Sequence, residues 1–294
     1  MKKHAFLIVA HKDDFVFRTL IKLLDDKDND IFIHMDKKNK SYDQKSIEKM
    51  VQNSNVYNIK RKKVNWGGYS LTDVEVRLIE EATKNDKYMY YHLISGADLP
   101  IKNQKYIHRF FYDNQGCEFV RIQEEEFKYN ERISYYYWLQ EILGRNKNKF
   151  GKAIRKISLK IQKAIKIKRN PNIEFQKGTN WCSITDDFAR YVVSKKKWIK
   201  KVFKYTICSD EIFLQTLLIN SRFKEKLYHK HFDNDIHSIM RLIDWNRGKP
   251  YTFKIEDYEE LKSSDMLIAR KFQSEVDEKI VKKIYDDIKL IENN

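Results

Sequence analysis

Apolar and polar positions alternate along the first hundred residues in short blocks. Residues 5–10 (AFLIVA) form an unbroken apolar run and read as a buried strand, while residues 14–24 (DFVFRTLIKLL) carry apolar positions at helical spacing. Residues 31–34 (IFIH), 55–59 and 88–95 (YMYYHLIS) predict three further strands. Between the last two, residues 70–83 (SLTDVEVRLIEEAT) predict a helix capped by Ser70. Strand, helix and strand at this spacing imply a mostly parallel α/β sheet flanked by helices, in which ligands gather at the carboxyl ends of the strands.

Beyond Lys102 the pattern is less regular. A Tyr-rich stretch (ISYYYWLQEIL, 133–143) precedes residues 144–171, which hold eleven Lys or Arg and no acid. There Phe150, Ile154, Ile157, Ile161 and Ile165 recur every three or four residues, an apolar stripe against a lysine face. Three readings fit it: a solvated helix packed on the domain, an interfacial helix on anionic lipid, or a phosphate-binding arm. Residues 180–219 hold two apolar segments of helical period, with Asp186 or Asp210 as openers. LIDWNRGKPYTF reads as a strand broken at Gly248 and Pro250, and residues 276–294 as an amphipathic helix.

The 294 residues suffice for one large or two small domains, and 18 Tyr, 17 Phe and 5 Trp are incompatible with a disordered chain. Cys117, Cys182 and Cys208 are odd in number and far apart, which argues against a disulfide framework or a Cys-based zinc site. The run 5–10 is too short for a secretory signal, and no window approaches a membrane span, so a cytoplasmic location is expected. Gly-rich phosphate loops, H-E-x-x-H and G-x-S-x-G are all missing from the sequence, which argues against ATPases, nicotinamide dehydrogenases, zincins and elbow hydrolases.

Four local features could carry chemistry. IFIHMDKK ends a strand with His34, Asp36, Lys37 and Lys38, where a carboxylate can meet a base or ribose or simply form a solvated turn. WGGYS places two glycines before a helix, as a close approach to a ligand or a plain turn. HLISGADLPIK sets Asp98 on a loop at a strand end, for a substrate contact or a turn. SDEIF and ARKF supply Asp210, Glu211, Arg270 and Lys271, a base with an anion clamp or an ordinary ion pair.

In their order these segments resemble glycosyltransferase family 14, the core-2/I-branching N-acetylglucosaminyltransferase and protein xylosyltransferase group, in a bacterial form. AFLIVAHKDD, IFIHMDKK, VNWGGYSL, HLISGADLPIK, GTNWCSIT, CSDEIFLQTLL, LIDW and LIARKF carry the likeness from Ala5 to about Phe272. The resemblance implies a GT-A-like, Rossmann-like fold and inverting transfer from a UDP-sugar to a hydroxyl, with no metal or other cofactor. It makes Glu211 the general base and Asp210 its neighbour orienting the helix start or a sugar hydroxyl. Arg270 and Lys271 become the clamp on the departing diphosphate, and His11 and Asp36 the lining of the uridine site. Asp98, Trp181 and Trp245 face sugar or acceptor, Trp181 alternatively anchoring the core. Asp233-Asn234-Asp235 spells a metal-binding triplet but lies far from the strand where one belongs, and is read as a turn.

The expected organisation is one catalytic domain over 1–275 and a terminal helix over 276–294. Within the domain, 1–102 would bind the nucleotide-sugar, and 103–275 would hold the acceptor and catalytic groups with the basic insertion 144–171. The donor expected first is UDP-N-acetylglucosamine, with UDP-xylose or another UDP-hexose behind it; a non-catalytic sugar-nucleotide-binding protein is the alternative class. The acceptor is expected to be a lipid-linked surface glycan, reached by peripheral association of residues 145–169 with the inner face of an anionic membrane. The formal charge of +16 then needs no nucleic acid, since most of the surplus sits in that one stretch.

Overall fold

The computed structural model describes residues 3–144 and 149–293. Among the described residues nine strands follow in chain order: β1 (His4–Ala10), β2 (Asn29–Met35), β3 (Asn55–Asn58), β4 (Tyr90–Ser95), β5 (Asp98–Pro100), β6 (Phe119–Val120), β7 (Cys182–Thr185), β8 (Arg241–Ile243) and β9 (Ile268–Arg270). Six build the main sheet in the order β3-β2-β1-β4-β7-β6, with β1 to β4 parallel and β7 antiparallel to both its neighbours, β4 and β6. The remaining three form a small sheet, β5-β9-β8.

The sheet is buried on both faces because its strands are apolar on both. Along β1, Ala5 and Leu7 enter one core with Val74 and Leu78 of the helix Tyr69–Asn85, while Phe6 and Ile8 enter the other. That second core also takes Phe17 and Leu20 of the helix Phe15–Leu23 and Ile284 of the helix Glu278–Asn293. Each such side chain contributes about 1.5–3 kcal/mol by leaving water. Asp14 caps Phe15–Leu23, its Oδ1 accepting from Phe17 N–H at 3.0 Å.

Local structure departs from the sequence pattern in three places. Ser70 is no cap: Gly68 stands there, and the Ser70 hydroxyl accepts from Asn65 N–H at 2.9 Å. The Ser70 N–H instead donates to the Glu141 carboxylate at 2.5 Å. A Cβ on Gly68 would lie 2.7 Å from that carboxylate, so the paired glycines admit a side chain of the same molecule. Second, residues 182–185 are a strand rather than the start of a helix, because alternation buries Cys182 and Ile184 in the core against β4. The helix Asp186–Ser194 begins after them with Thr185 as cap, and Asp186 accepts from the Tyr91 hydroxyl at 2.7 Å. Third, Asp98 opens β5 instead of standing on a loop.

The small sheet is fixed to the large one by Arg241, a buried guanidinium that donates to Cys182 O at 2.8 Å and Ser183 Oγ at 2.9 Å. That anchor settles where β9, and therefore Arg270, lies relative to the ends of the parallel strands.

Candidate active site

The parallel strands β1, β2 and β4 end side by side at Ala10, Met35 and Ser95, and a cluster of polar side chains is built on those ends. Asp36 follows β2 and is buried. Its N–H donates to Ala10 O at 2.8 Å, and its Oδ1 accepts from Lys38 N–H at 2.9 Å. His11 follows β1 with an exposed ring. Desolvation and then Lys12 hold its pKa below the ordinary value; Asp36 works against the shift and Arg270 adds to it, so His11 lies within electrostatic reach of both.

Beyond β4 the chain turns at Gly96, whose N–H donates to Val9 O at 3.1 Å. A Cβ there would stand 3.0 Å from the Ala10 Cβ, so this close approach of the turn to the end of β1 favours glycine. The turn delivers Asp98 opposite Arg270 in the register of β5 and β9. Asp98 accepts from Ser95 N–H and Ser95 Oγ at 2.8 Å each, and from Arg270 Nη1 at 2.5 Å. Its carboxylate is therefore occupied in aiming the guanidinium rather than open to a sugar. Trp181 lies in the main core, and the Arg270 guanidinium sits over its ring at 4.3 Å from the centroid. Trp181 thus takes the anchoring role and supports Arg270 from one side. Lys271 follows at once, its backbone bonded to Tyr251 and Phe253. Trp245, just past the end of β8, is 51% exposed and has the open ring face a pyranose requires.

The second group lies on the 3₁₀ turn Ser209–Glu211. Cys208 enters it at φ 50°, a left-handed conformation held by its N–H bond to Gly67 O at 2.9 Å. Glu211 is partly exposed; its Oε2 accepts from Arg132 Nη1 at 2.8 Å and lies 3.5 Å from Lys177 Nζ. The ion pairs anticipated between these acids and Arg270 with Lys271 are therefore formed otherwise: Glu211 with Arg132 and Lys177, Arg270 with Asp98. Asp210 is buried with Oδ1 unpartnered, and burial, then Glu211, push its pKa up to about 7. Glu75, buried in the helix Tyr69–Asn85, accepts from Asn180 Nδ2 at 3.0 Å; desolvation first and Asp210 second hold it well above the usual carboxylate range. Asn180 precedes Trp181, so the two groups share the segment 178–181.

Gly178 governs that segment. Its N–H donates to Glu211 O at 2.9 Å, and a Cβ would fall 1.8 Å from Arg121 O. Glu75, Arg132, Lys177 and Ser95 were not singled out by sequence. Glu75 had a signal, an acid on the apolar face of a helix four residues before Ile79; Arg132 and Lys177 had none. The Asp233-Asn234-Asp235 triplet is a turn, with Asp235 N–H donating to Asp233 Oδ1 at 3.1 Å and Asn234 at φ 68°.

A family profile described as "Core-2/I-Branching enzyme" matches residues 4–267. Xylosyltransferase 1 of Mus musculus is 22% identical over 304 residues, covering 94% of this chain but 30% of the mouse protein. Xylosyltransferase sqv-6 of Caenorhabditis briggsae is 23% identical over 268 residues, covering 84% of this chain and 32% of its own length. This chain thus spans about a third of the relatives it matches. The crystal structure of mouse xyloside xylosyltransferase 1 aligns over 92% of this chain and 97% of its own, at 10% identity and a TM-score of 0.39, too distant to bear on the site. The match over nearly the whole chain, in the order in which the strand ends and the Ser209–Glu211 turn occur, shows that this chain belongs to the Core-2/I-branching enzyme family of glycosyltransferases.

Proposed function

We infer that this chain transfers a sugar from a UDP-sugar to a glycan hydroxyl with inversion and without a divalent metal. The observation that carries the reading is the division of charge. An accessible carboxylate, Glu211, is held by two cations, while a separate cation, Arg270, is fixed by Asp98 at the strand ends where a nucleotide diphosphate belongs. The acceptor hydroxyl attacks the anomeric carbon from the face opposite the diphosphate and gives its proton to Glu211. The bond from the anomeric carbon to the phosphate oxygen breaks with its electron pair passing to UDP, through an oxocarbenium-like state. Arg270 and Lys271 neutralise the charge that develops on UDP, the task a metal performs elsewhere, and one such donor is worth about 3 kcal/mol. Asp36 and His11 line the uridine side, and Trp245 stacks on the sugar or acceptor.

UDP-N-acetylglucosamine is the first donor proposed. UDP-xylose is the second reading, favoured by the xylosyltransferase relatives. The acceptor is proposed to be lipid-linked, at the inner face of a membrane. Ile157, Ile161 and Ile165 in the helix Lys149–Ala164 and just beyond it are 57%, 55% and 64% exposed while Ile154 is half-buried, so the later part of the stripe is open to a surface; the Phe150 side chain lies outside the described residues. The same helix turns Gly151 and Gln162 inward, leaving the isoleucines beside Lys156 and Lys160 for an anionic bilayer. Arg145 and Lys147 of the basic run lie outside the described residues. No helix among the described residues is long and apolar enough to cross a membrane.

The test is a panel of UDP-sugars incubated with EDTA and membrane extract, with the anomeric proton of the product read by NMR. A β-linked product from an α-linked donor supports the reading; a retained α-linkage, or binding of UDP with no turnover of any donor, overturns it.

A further inference from the structure

A groove of about 510 Å³ runs between the start of the helix Tyr69–Asn85, residues 137–141 and the end of the helix Lys196–Phe203. Four cations line it: Lys62, Arg77, Lys200 and Lys204. Lys62 and Arg77 share one acid, Asp73, at 2.8 and 2.9 Å. The only other lining acid, Glu141, is engaged by the Ser70 N–H at a helix start. Lys200 and Lys204 are exposed and join no ion pair among the described residues. The groove therefore keeps a positive surplus that no carboxylate among the described residues neutralises, although Lys204 lies over the Tyr205 ring.

Its walls also carry aromatic side chains: Trp138, 52% exposed and stacked on Tyr136, half-buried Tyr137 and Tyr205, and buried Tyr69, with Lys204 Nζ 5.0 Å from the Tyr205 ring centroid. An exposed ring beside cations suits a sugar that carries an acid: a pyranose face stacks on Trp138, and carboxylates or phosphates pair with lysine. A volume of this size holds a few sugar rings rather than a polymer tract. The groove is joined to the catalytic turn. Tyr137 N–H donates to Tyr205 O at 2.9 Å, and three residues after Tyr205 the Cys208 N–H bonds Gly67 and leads into Ser209–Glu211. On the other side, Tyr136 N–H donates to Gln162 Oε1 at 2.7 Å, tying the same wall to the exposed amphipathic helix.

We propose that this groove is the acceptor subsite and that it takes an acidic glycan, bearing uronate or phosphate, in place of a neutral one. The proposal rests on the transferase reading above and adds the substrate class.

The test is calorimetric binding of two probes: a hexasaccharide of alternating N-acetylglucosamine and glucuronate, and the neutral N-acetylglucosamine hexamer. Each is measured against the parent and the double variant Lys200→Gln/Lys204→Gln, with UDP affinity measured alongside. The acidic hexamer is expected to bind the parent more tightly than the neutral one, and to lose about 10-fold in the double variant and again with added salt, while UDP affinity stays unchanged. Equal binding of both hexamers, no loss in the double variant, or tighter capture of a thymidine decanucleotide by the same two lysines overturns it. Loss of UDP binding by the parent itself speaks against the transferase reading instead, and leaves the hexamer comparison to judge the groove.

Discussion

Arg270 and Asp98 meet across β9 and β5 in a pair whose side chains are 19% and 2% exposed, with Nη1 2.5 Å from Oδ1. The acid is nearly sealed and the guanidinium is the more exposed partner, so the acid holds the cation in place. Asp98→Ala leaves the guanidinium without its partner and is expected to cost about 3 kcal/mol of stability. UDP affinity is expected to fall with it, whereas Ser95→Ala, which removes the hydroxyl bonded to Asp98, Ala97 N–H and Arg270 but leaves the Asp98–Arg270 pair, costs only about 1 kcal/mol. Thermal unfolding and UDP titration of the two variants check both statements.

Asp210 makes stability depend on pH with a known sign. Its folded pKa, about 7, stands above the ordinary 3.8, so the protonated form is the one the fold prefers. The stability it permits is fully present below pH 3.8 and is lost as pH rises through about 7. Asp210→Asn removes this dependence and is expected to stabilise the protein by about 1–3 kcal/mol at pH 8, while lowering turnover. Urea midpoints of parent and variant at pH 5 and pH 8 decide it; an equal difference at both pH values contradicts the assignment.

Gly178→Ala inserts a methyl 1.8 Å from the position of Arg121 O and must displace the segment 178–181 that carries Trp181 or the turn that carries Glu211. A loss of about 2–4 kcal/mol is expected, with activity lost before the fold, because the Gly178 N–H to Glu211 O bond is the local tie. Far-UV dichroism and UDP release on the same sample separate the two effects.

Trp245 is exposed and outside both cores, so Trp245→Ala is expected to leave the melting temperature within about 2 °C of the parent. It is expected to raise the acceptor KM about 10-fold by loss of ring stacking, with Trp245→Phe restoring most of it. An unchanged acceptor KM contradicts the stacking role.

The parallel half of the fold was legible because its strands are apolar on both faces and its helices carry period 3.6. Residues 5–10 and 31–34 lie inside β1 and β2, and Asp14 caps the first helix. The second half was less so. β7 is four residues long and shares its apolar content with the helix it runs into, and β5, β8 and β9 are three residues each, too short for alternation to show. Glu211 and Arg270 stand out in the sequence as an acid and a cation, and only a resemblance of motifs assigns them roles. Their real partners are not: Arg132 is 79 residues from Glu211, and Asp98 is 172 from Arg270, separations that only the folded sheets bring together.

The role proposed for Glu211 is to take the acceptor proton while fixed cations stand in for a metal. UDP release and product formation from UDP-N-acetylglucosamine and UDP-xylose, measured in EDTA for the parent and for Glu211→Gln, test it directly. Turnover of at least one donor is expected to be unchanged by EDTA, and to fall about 100-fold or more in Glu211→Gln with UDP affinity retained. Turnover abolished by EDTA, or undiminished in Glu211→Gln, would contradict it.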